Sequence, residues 1–294
     1  MLLPKFDYHE PKTLDEACQI MAELGPKARP IAGGTDLLVN MKKKVLSPEH
    51  LVSISRIEEL KKLDTANGQI RIGACFTVAE LTESERINQK LSALASGAHS
   101  LGSPLVRNLA TIGGNLGSAR PAADLPPSLI AYGAKVILKS NTSERAVSLD
   151  NFFAGPGFTE IGPAEILTEI LVDCPPAHAG AGYINLGIRK AQDCNIVNVA
   201  SYISLSDPEG VIQTARIVMG CVGPIPLRAT SAEKMLAGEK PGEALFMKAG
   251  EAATEDCAPI DDFRGSAAYK KAMVSVLTKK TLGIAHSEAR NRST

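Results

Sequence analysis

The chain has 294 residues, 44% hydrophobic and 22% charged, a balance that supports a large buried core and excludes wholesale disorder. Lys plus Arg and Asp plus Glu each total 32, so the formal net charge is zero. The basic excess of a nucleic-acid-binding chain is missing, and no nucleic-acid partner is expected.

Thr13 is placed to cap a helix over 14–24, whose apolar stripe is Leu14, Cys18, Met21 and Leu24, with Gly25 and Pro26 as its stop. The short apolar run 29–32 leads into Gly33-Gly34-Thr35-Asp36 and then Leu37-Leu38-Val39, which reads as strand, glycine turn, helix. Residues 51–54 read as another buried strand, so the first 55 or so residues form a small α/β unit. Asn67-Gly68 marks a turn before an alternating strand over 69–75. Residues 81–98 read as mostly helical, 124–131 as a short helix, and 134–138 and 166–172 as strands. The run 174–182, rich in Pro, Ala and Gly, reads as a linker and marks a domain boundary. Beyond it, 196–205 and 211–220 form a hairpin around Asp207-Pro208-Glu209-Gly210, a type I turn signature. Helices near 230–237, 243–256 and 266–282 follow, and the polar tail 287–294 is expected to fray.

No apolar run approaches the roughly 20 residues that span a bilayer. The first residues reach Pro4, Lys5 and Asp7 too early for a secretory leader, so a cytoplasmic protein with no membrane span is expected. The six cysteines are scattered without a CxxC pair, and the five histidines lack ligand spacing; no metal site is expected in this chain. There is no GxGxxG, no GK[ST] loop, and His9-Glu10 is not followed by a second histidine at residue 13.

Two Gly-Gly pairs remain, Ile31-Ala32-Gly33-Gly34-Thr35-Asp36 and Ala110-Thr111-Ile112-Gly113-Gly114-Asn115-Leu116. Glycine lets backbone amides converge and lets a ligand approach the main chain, with Thr35, Thr111 and Asn115 adding side-chain hydrogen bonds. By spacing alone, these are either tight turns or a two-sided cradle for a phosphate-bearing ligand. The charge balance suits the second reading, because backbone dipoles can replace lysines.

Ala32-Gly33-Gly34-Thr35-Asp36 and Thr111-Ile112-Gly113-Gly114-Asn115 resemble the two FAD signatures of the molybdenum hydroxylase flavoprotein subunits. That family includes the medium subunits of carbon monoxide dehydrogenase and nicotinate dehydrogenase and the flavin domain of xanthine dehydrogenase. The likeness continues in order through 122–126, 165–167, Arg189-Lys190-Ala191-Gln192-Asp193 and 197–200, nearly the whole chain. It implies an α+β fold: a vanillyl-alcohol-oxidase/PCMH-type FAD-binding domain over 1–175, with subdomains of about 1–56 and 57–175. A small C-terminal α+β domain of the carbon monoxide dehydrogenase flavoprotein type would cover 176–285, and a polar tail 286–294.

The resemblance also implies roles. Pro30, Ile31, Ala32, Gly33, Gly34, Thr35, Asp36 and Leu37 would wrap the diphosphate, with Gly33 and Gly34 giving main-chain donors. Thr111, Ile112, Gly113, Gly114 and Asn115 would form the second loop. Asp124 would hydrogen-bond the adenosine or ribityl part; its other reading is a cap for the following helix. Leu101 and Gly102 would lie near the flavin, Leu167 would make an apolar contact and Asn185 a polar one; the two leucines read equally as core. Xanthine dehydrogenase types carry an aromatic at the position of Leu101 and a lysine at that of Asn185, and the carbon monoxide dehydrogenase type carries His-Ser at Thr35-Asp36. The iron–sulfur insertion of 4-hydroxybenzoyl-CoA reductase is not apparent.

The activity implied is electron transfer within a molybdenum hydroxylase complex, with no catalytic side chain in this chain. A large subunit would hold the molybdenum cofactor and a small subunit two two-iron–two-sulfur clusters, assembled as a dimer of heterotrimers. This chain would carry FAD and deliver electrons to NAD(P)+ or another acceptor. The alternative is a stand-alone FAD-dependent reductase or oxidase on the same scaffold.

Overall fold

The computed structural model describes residues 2–189 and 192–292. Lys190 and Ala191 of the Arg189–Asp193 motif lie outside the described residues. The chain divides into two compact units. The first comprises 1–80, 103–119 and 134–173; the second comprises 81–102, 120–133 and 174–294. The expected linear split near 175 is therefore interrupted twice, because the segments 81–102 and 120–133 join the second unit.

The first unit begins with a three-stranded parallel sheet, in which His50–Ser53 lies between Asp7–His9 and Ala28–Ile31. Helix Leu14–Leu24 connects the first two strands in the chain. Thr13 caps it by accepting from the Glu16 amide at 3.2 Å, and Gly25 ends it at φ 54. Its buried side chains Leu14, Ala17, Cys18 and Met21 pack on Val52, Ile54, Ile57 and Leu60. Each fully buried side chain of this size contributes roughly 1.5–3 kcal/mol, so Met21→Ala would loosen the whole layer. The unit also contains a five-stranded antiparallel sheet in the order Leu63–Ala66, Gln69–Gly73, Ile166–Asp173, Lys135–Lys139, Glu144–Ser148.

The second unit is built on an antiparallel meander of Ala179–Leu186, Val197–Leu205, Ile212–Gly220 and Leu227–Arg228. The turn between the two long strands closes with the Gly210 amide donating to the Asp207 carbonyl at 3.0 Å, as the sequence predicts. Alternate residues of Val197–Leu205 serve the two faces. Val197, Val199, Ile203 and Leu205 join a core with helices Thr230–Leu236, Glu243–Ala253 and Ala267–Asn291. Asn198 and Tyr202 face the other way, toward helix Leu125–Ala131 and its end. The Gly180-x-Gly182 spacing is a packing device: a Cβ at either position would fall 2.2 Å from the Ala285 carbonyl oxygen or 2.5 Å from that of Thr281.

Four expectations need correction. The helix over 81–98 is three helices, Val78–Glu83, Glu85–Lys90 and Ser92–Ser100. Ser84 leaves helical geometry to cap the second, and Leu91 turns out at φ −129, ψ 54. The linker 174–182 already contains strand from Ala179. The tail stays helical to Asn291, because Glu288 Oε2 accepts from Ser92 Oγ at 2.7 Å and the Ala181 amide at 2.9 Å. The segment from Ile112 is the helix Ile112–Gly117, not an open loop.

Candidate functional site

In the first unit, Pro30 and Ile31 end a strand, Ala32–Asp36 form the turn, and Leu37 opens the helix Leu37–Lys42. Gly34 lies at φ +69, a region that favours glycine. Successive free backbone amides in a turn form the concavities that bind anions. The amides of Gly33, Gly34 and Thr35 donate to no acceptor among the described residues, and all three residues are partly solvent-accessible. Three adjacent unsatisfied donors are costly in a finished fold unless water or a ligand takes them.

The second glycine pair behaves differently. Thr111 caps the helix Ile112–Gly117, its Oγ1 accepting from the Gly114 amide at 3.0 Å. The Ile112 amide donates to the Phe76 carbonyl, Gly113 to Ala74 and Asn115 to Thr111. All four amides are thus committed, and this segment offers no main-chain cradle. A Cβ at Gly113 would meet Ala74 backbone and side-chain atoms within 3.0 Å. The Ala74 amide donates in turn to the carbonyl of Thr168, next to Leu167 on a central strand. What the helix does present is the exposed Gly114 and the Asn115 Oδ1, a buried oxygen without a hydrogen-bond partner.

Gly33 couples the two segments. A Cβ there would lie 1.7 Å from the Leu109 carbonyl oxygen and 3.2 Å from the Ala110 nitrogen, so the first loop rests on the backbone that leads into Thr111. Three free donors and an unpartnered acceptor stand on segments in direct contact. That donor set fits a diphosphate flanked by hydrogen-bonding groups.

In the second unit, Asp124 is 8% exposed. It stands at the start of helix Leu125–Ala131 but makes no cap bond, which removes the capping alternative. Its Oδ1 accepts from Ser100 Oγ at 2.9 Å, Tyr183 Oη at 3.0 Å and Asn195 Nδ2 at 2.8 Å. Burial pushes the carboxyl up, and these three donors oppose the shift. Burial and the Asp124 charge hold the Tyr183 phenol well above its usual range. Asn185 is exposed, and its Nδ2 donates to Asn195 Oδ1 at 2.9 Å. Leu101 is buried directly after Ser100, and Gly102 follows at φ 54. Leu167 is a buried strand residue beside a register shift. Sequence reasoning missed Tyr183, Asn195 and Asn198, which have no local motif and reach Asp124 or its neighbour Ala123 from more than fifty residues away.

The sequence matches the family described as FAD binding domain in molybdopterin dehydrogenase over 4–174, and the CO dehydrogenase flavoprotein C-terminal domain over 182–285. It is 33% identical over 285 residues to the carbon monoxide dehydrogenase medium chain of Hydrogenophaga pseudoflava, covering 97% of this chain and 98% of that one. It is 32% identical over 284 residues to the nicotinate dehydrogenase FAD-subunit of Eubacterium barkeri, covering 94% of each. The fold matches a solved structure of carbon monoxide dehydrogenase from Hydrogenophaga pseudoflava, one lacking the Mo-pyranopterin moiety of the molybdenum cofactor. There the TM-score is 0.93 with 34% identity, over 98% of this chain and 99% of that chain.

Proposed function

The chain belongs to the FAD-binding medium subunits of the molybdenum hydroxylase family of oxidoreductases, and from that premise we propose that it is the electron-relay subunit of a three-subunit complex. A large subunit carries the molybdenum cofactor and a small one carries two-iron–two-sulfur clusters, by analogy with relatives named as medium chains and FAD-subunits. The subunit passes electrons from those clusters to NAD(P)+ or another acceptor. The assembly is a dimer of heterotrimers in the cytoplasm.

FAD supplies a carrier that takes electrons singly and gives them in pairs. The residues of this chain bind and orient it. Gly33, Gly34 and Thr35 donate their amides to the diphosphate, within the stretch Pro30–Leu37. Asn115, carried by the helix that Thr111 caps and Gly113 seats on Ala74, accepts a hydrogen bond through Oδ1. Asp124 accepts from a hydroxyl of the cofactor, Leu101, Gly102 and Leu167 give apolar or backbone surface, and Asn185 a polar contact. Residues 1–175 are assigned to cofactor binding and 176–285 to the C-terminal domain.

The observation that supports this reading most is the run of three free amides at 33–35, on a loop seated on the backbone that leads into the helix carrying the unpartnered Asn115 oxygen. Affinity purification from the native host tests the rest. The expected result is one larger and one smaller partner chain, with molybdenum, iron and one flavin per copy of this chain. A homogeneous flavoprotein without metal would replace the relay by a stand-alone oxidoreductase.

A further inference from the structure

The carboxylate of Asp124 is used on one side only. Oδ1 is saturated by Ser100, Tyr183 and Asn195, which come from a helix, a strand and a loop. Oδ2 accepts from no described residue. A carboxylate buried purely for structure gains from satisfying both oxygens, because each unmet one carries its desolvation cost. Here three donors instead fix the rotamer and favour the charged form.

Asn195 is the centre of this arrangement. It is 3% exposed and bonds in three directions. Its Nδ2 donates to Asp124 Oδ1 and to the Ala122 carbonyl at 3.1 Å, and its Oδ1 accepts from Asn185. The Ala122 carbonyl and Asp124 Oδ1 are both acceptors, so a flipped Asn195 would set its oxygen against two oxygens, and Nδ2 must face Asp124. Tyr183 is held in turn by Asn198, whose Nδ2 donates to the phenol oxygen at 3.2 Å and to the Ala123 carbonyl.

We propose that Asn195 is a positioning residue of the cofactor site: it locks the Asp124 carboxylate so that Oδ2 is presented as the acceptor for one sugar-type hydroxyl of FAD. This rests on the FAD-binding reading above. The hydroxyl belongs either to the ribityl chain or to the adenosine ribose.

The test uses the full chain stripped of flavin and titrated with FAD by fluorescence quenching between pH 6 and 8.5. Asn195→Ala is expected to weaken FAD about tenfold, the loss of one charge-assisted hydrogen bond. Asn195→Asp has the same shape but sets a second carboxylate against Asp124. It is expected to weaken FAD about a hundredfold at pH 8 and to recover at least tenfold by pH 6, since adjoining carboxyls share a proton. Among the described residues, the other titratable groups facing Asp124 are the Tyr183 phenol and the Cys221 thiol, the latter pushed up to about 12 by burial with Arg264 and Lys270 opposing the rise. Neither titrates in this window, so the profile reports the carboxyl pair. Tyr183→Phe, which keeps the ring, should lose a few-fold in affinity. FMN and ADP as competitors identify the hydroxyl, since only the fragment carrying it shows the Asn195→Ala loss.

A wild-type affinity unchanged in Asn195→Asp, or an equal, pH-independent loss in both Asn195 variants, overturns the assignment. If Asn195→Asp does not fold, an unchanged affinity in Tyr183→Phe does the same. Failure of the wild type to bind FAD at any pH overturns the FAD reading itself and this assignment with it.

Discussion

Replacing Gly33 by alanine adds one methyl group, and the structure leaves no room for it. The new carbon would lie 1.7 Å from the Leu109 carbonyl oxygen and 2.5 Å from its carbon, both backbone atoms that no rotamer change can move. Ordinary contact begins near 3.4 Å, so the loop must lift from its seat by about as much as the present gap. Overpacking of this kind costs about 1–3 kcal/mol. A displacement of that size also breaks the alignment of the Gly33, Gly34 and Thr35 amides. A hydrogen bond to a charged acceptor contributes about 1.5–3 kcal/mol, so losing even one lowers FAD affinity by roughly ten- to a hundredfold. Gly114→Ala is the matched control: its Cβ meets only Thr111 Oγ1, at 2.9 Å, and weakens a cap worth about 1 kcal/mol. The assay is flavin content per chain after gel filtration, with thermal unfolding of the flavin-free chain in parallel. Gly33→Ala is expected to lose most of its FAD and to melt several degrees lower, while Gly114→Ala keeps most of its FAD. Full FAD retention by Gly33→Ala would refute the role given to this loop.

Further outcomes are expected elsewhere. Asn115→Ala should weaken FAD about tenfold yet leave the melting temperature of the flavin-free chain unchanged or higher, because its buried Oδ1 makes no bond there; calorimetry with and without FAD checks both halves. Arg145 grips Glu165 through two hydrogen bonds, at 2.7 and 2.8 Å, and holds its carboxyl below the ordinary 4.5, with the Gly162 amide helping. A depressed carboxyl gives stability that is present above the unfolded value and lost as pH falls through the folded one. Glu165→Gln should therefore lower stability at neutral pH and flatten the acid limb of a urea-midpoint profile below about pH 4.5. Glu288→Ala should lower the melting temperature and speed amide exchange at Ala181, whose donor loses its acceptor. Cys194 is exposed, whereas Cys75 is buried and burial pushes its thiol up to about 12; Cys194 should react with a disulfide reagent at pH 8 while Cys75 waits for unfolding.

What the sequence made legible was local. The helix Leu14–Leu24 carries its own cap, stripe and stop, and the Asp207–Gly210 turn carries its own geometry, so both are found where expected. Where the deciding partner is distant in the chain, residue patterns fail. Gly33-Gly34 and Gly113-Gly114 look alike, but one pair leaves its amides free and the other commits them, because Phe76 and Ala74 lie beneath the second. Asp124 has an apparent helix to cap, yet its carboxyl turns toward Ser100, Tyr183 and Asn195. The helix over 81–98 breaks at Leu91, an apolar residue without a breaking propensity, whose side chain is fully buried. The tail Ser287–Asn291 is polar but anchored by Glu288 to Ser92 and Ala181, a contact no periodicity reveals.

The central claim is that the amides at 33–35 and the Asn115 oxygen grip a flavin dinucleotide. Acid release of bound small molecules from the natively purified protein, followed by chromatography against flavin standards, tests it most directly. One FAD per chain is expected in wild type and little in Gly33→Ala. A colourless protein that yields no flavin, or one that yields FMN alone, would contradict it.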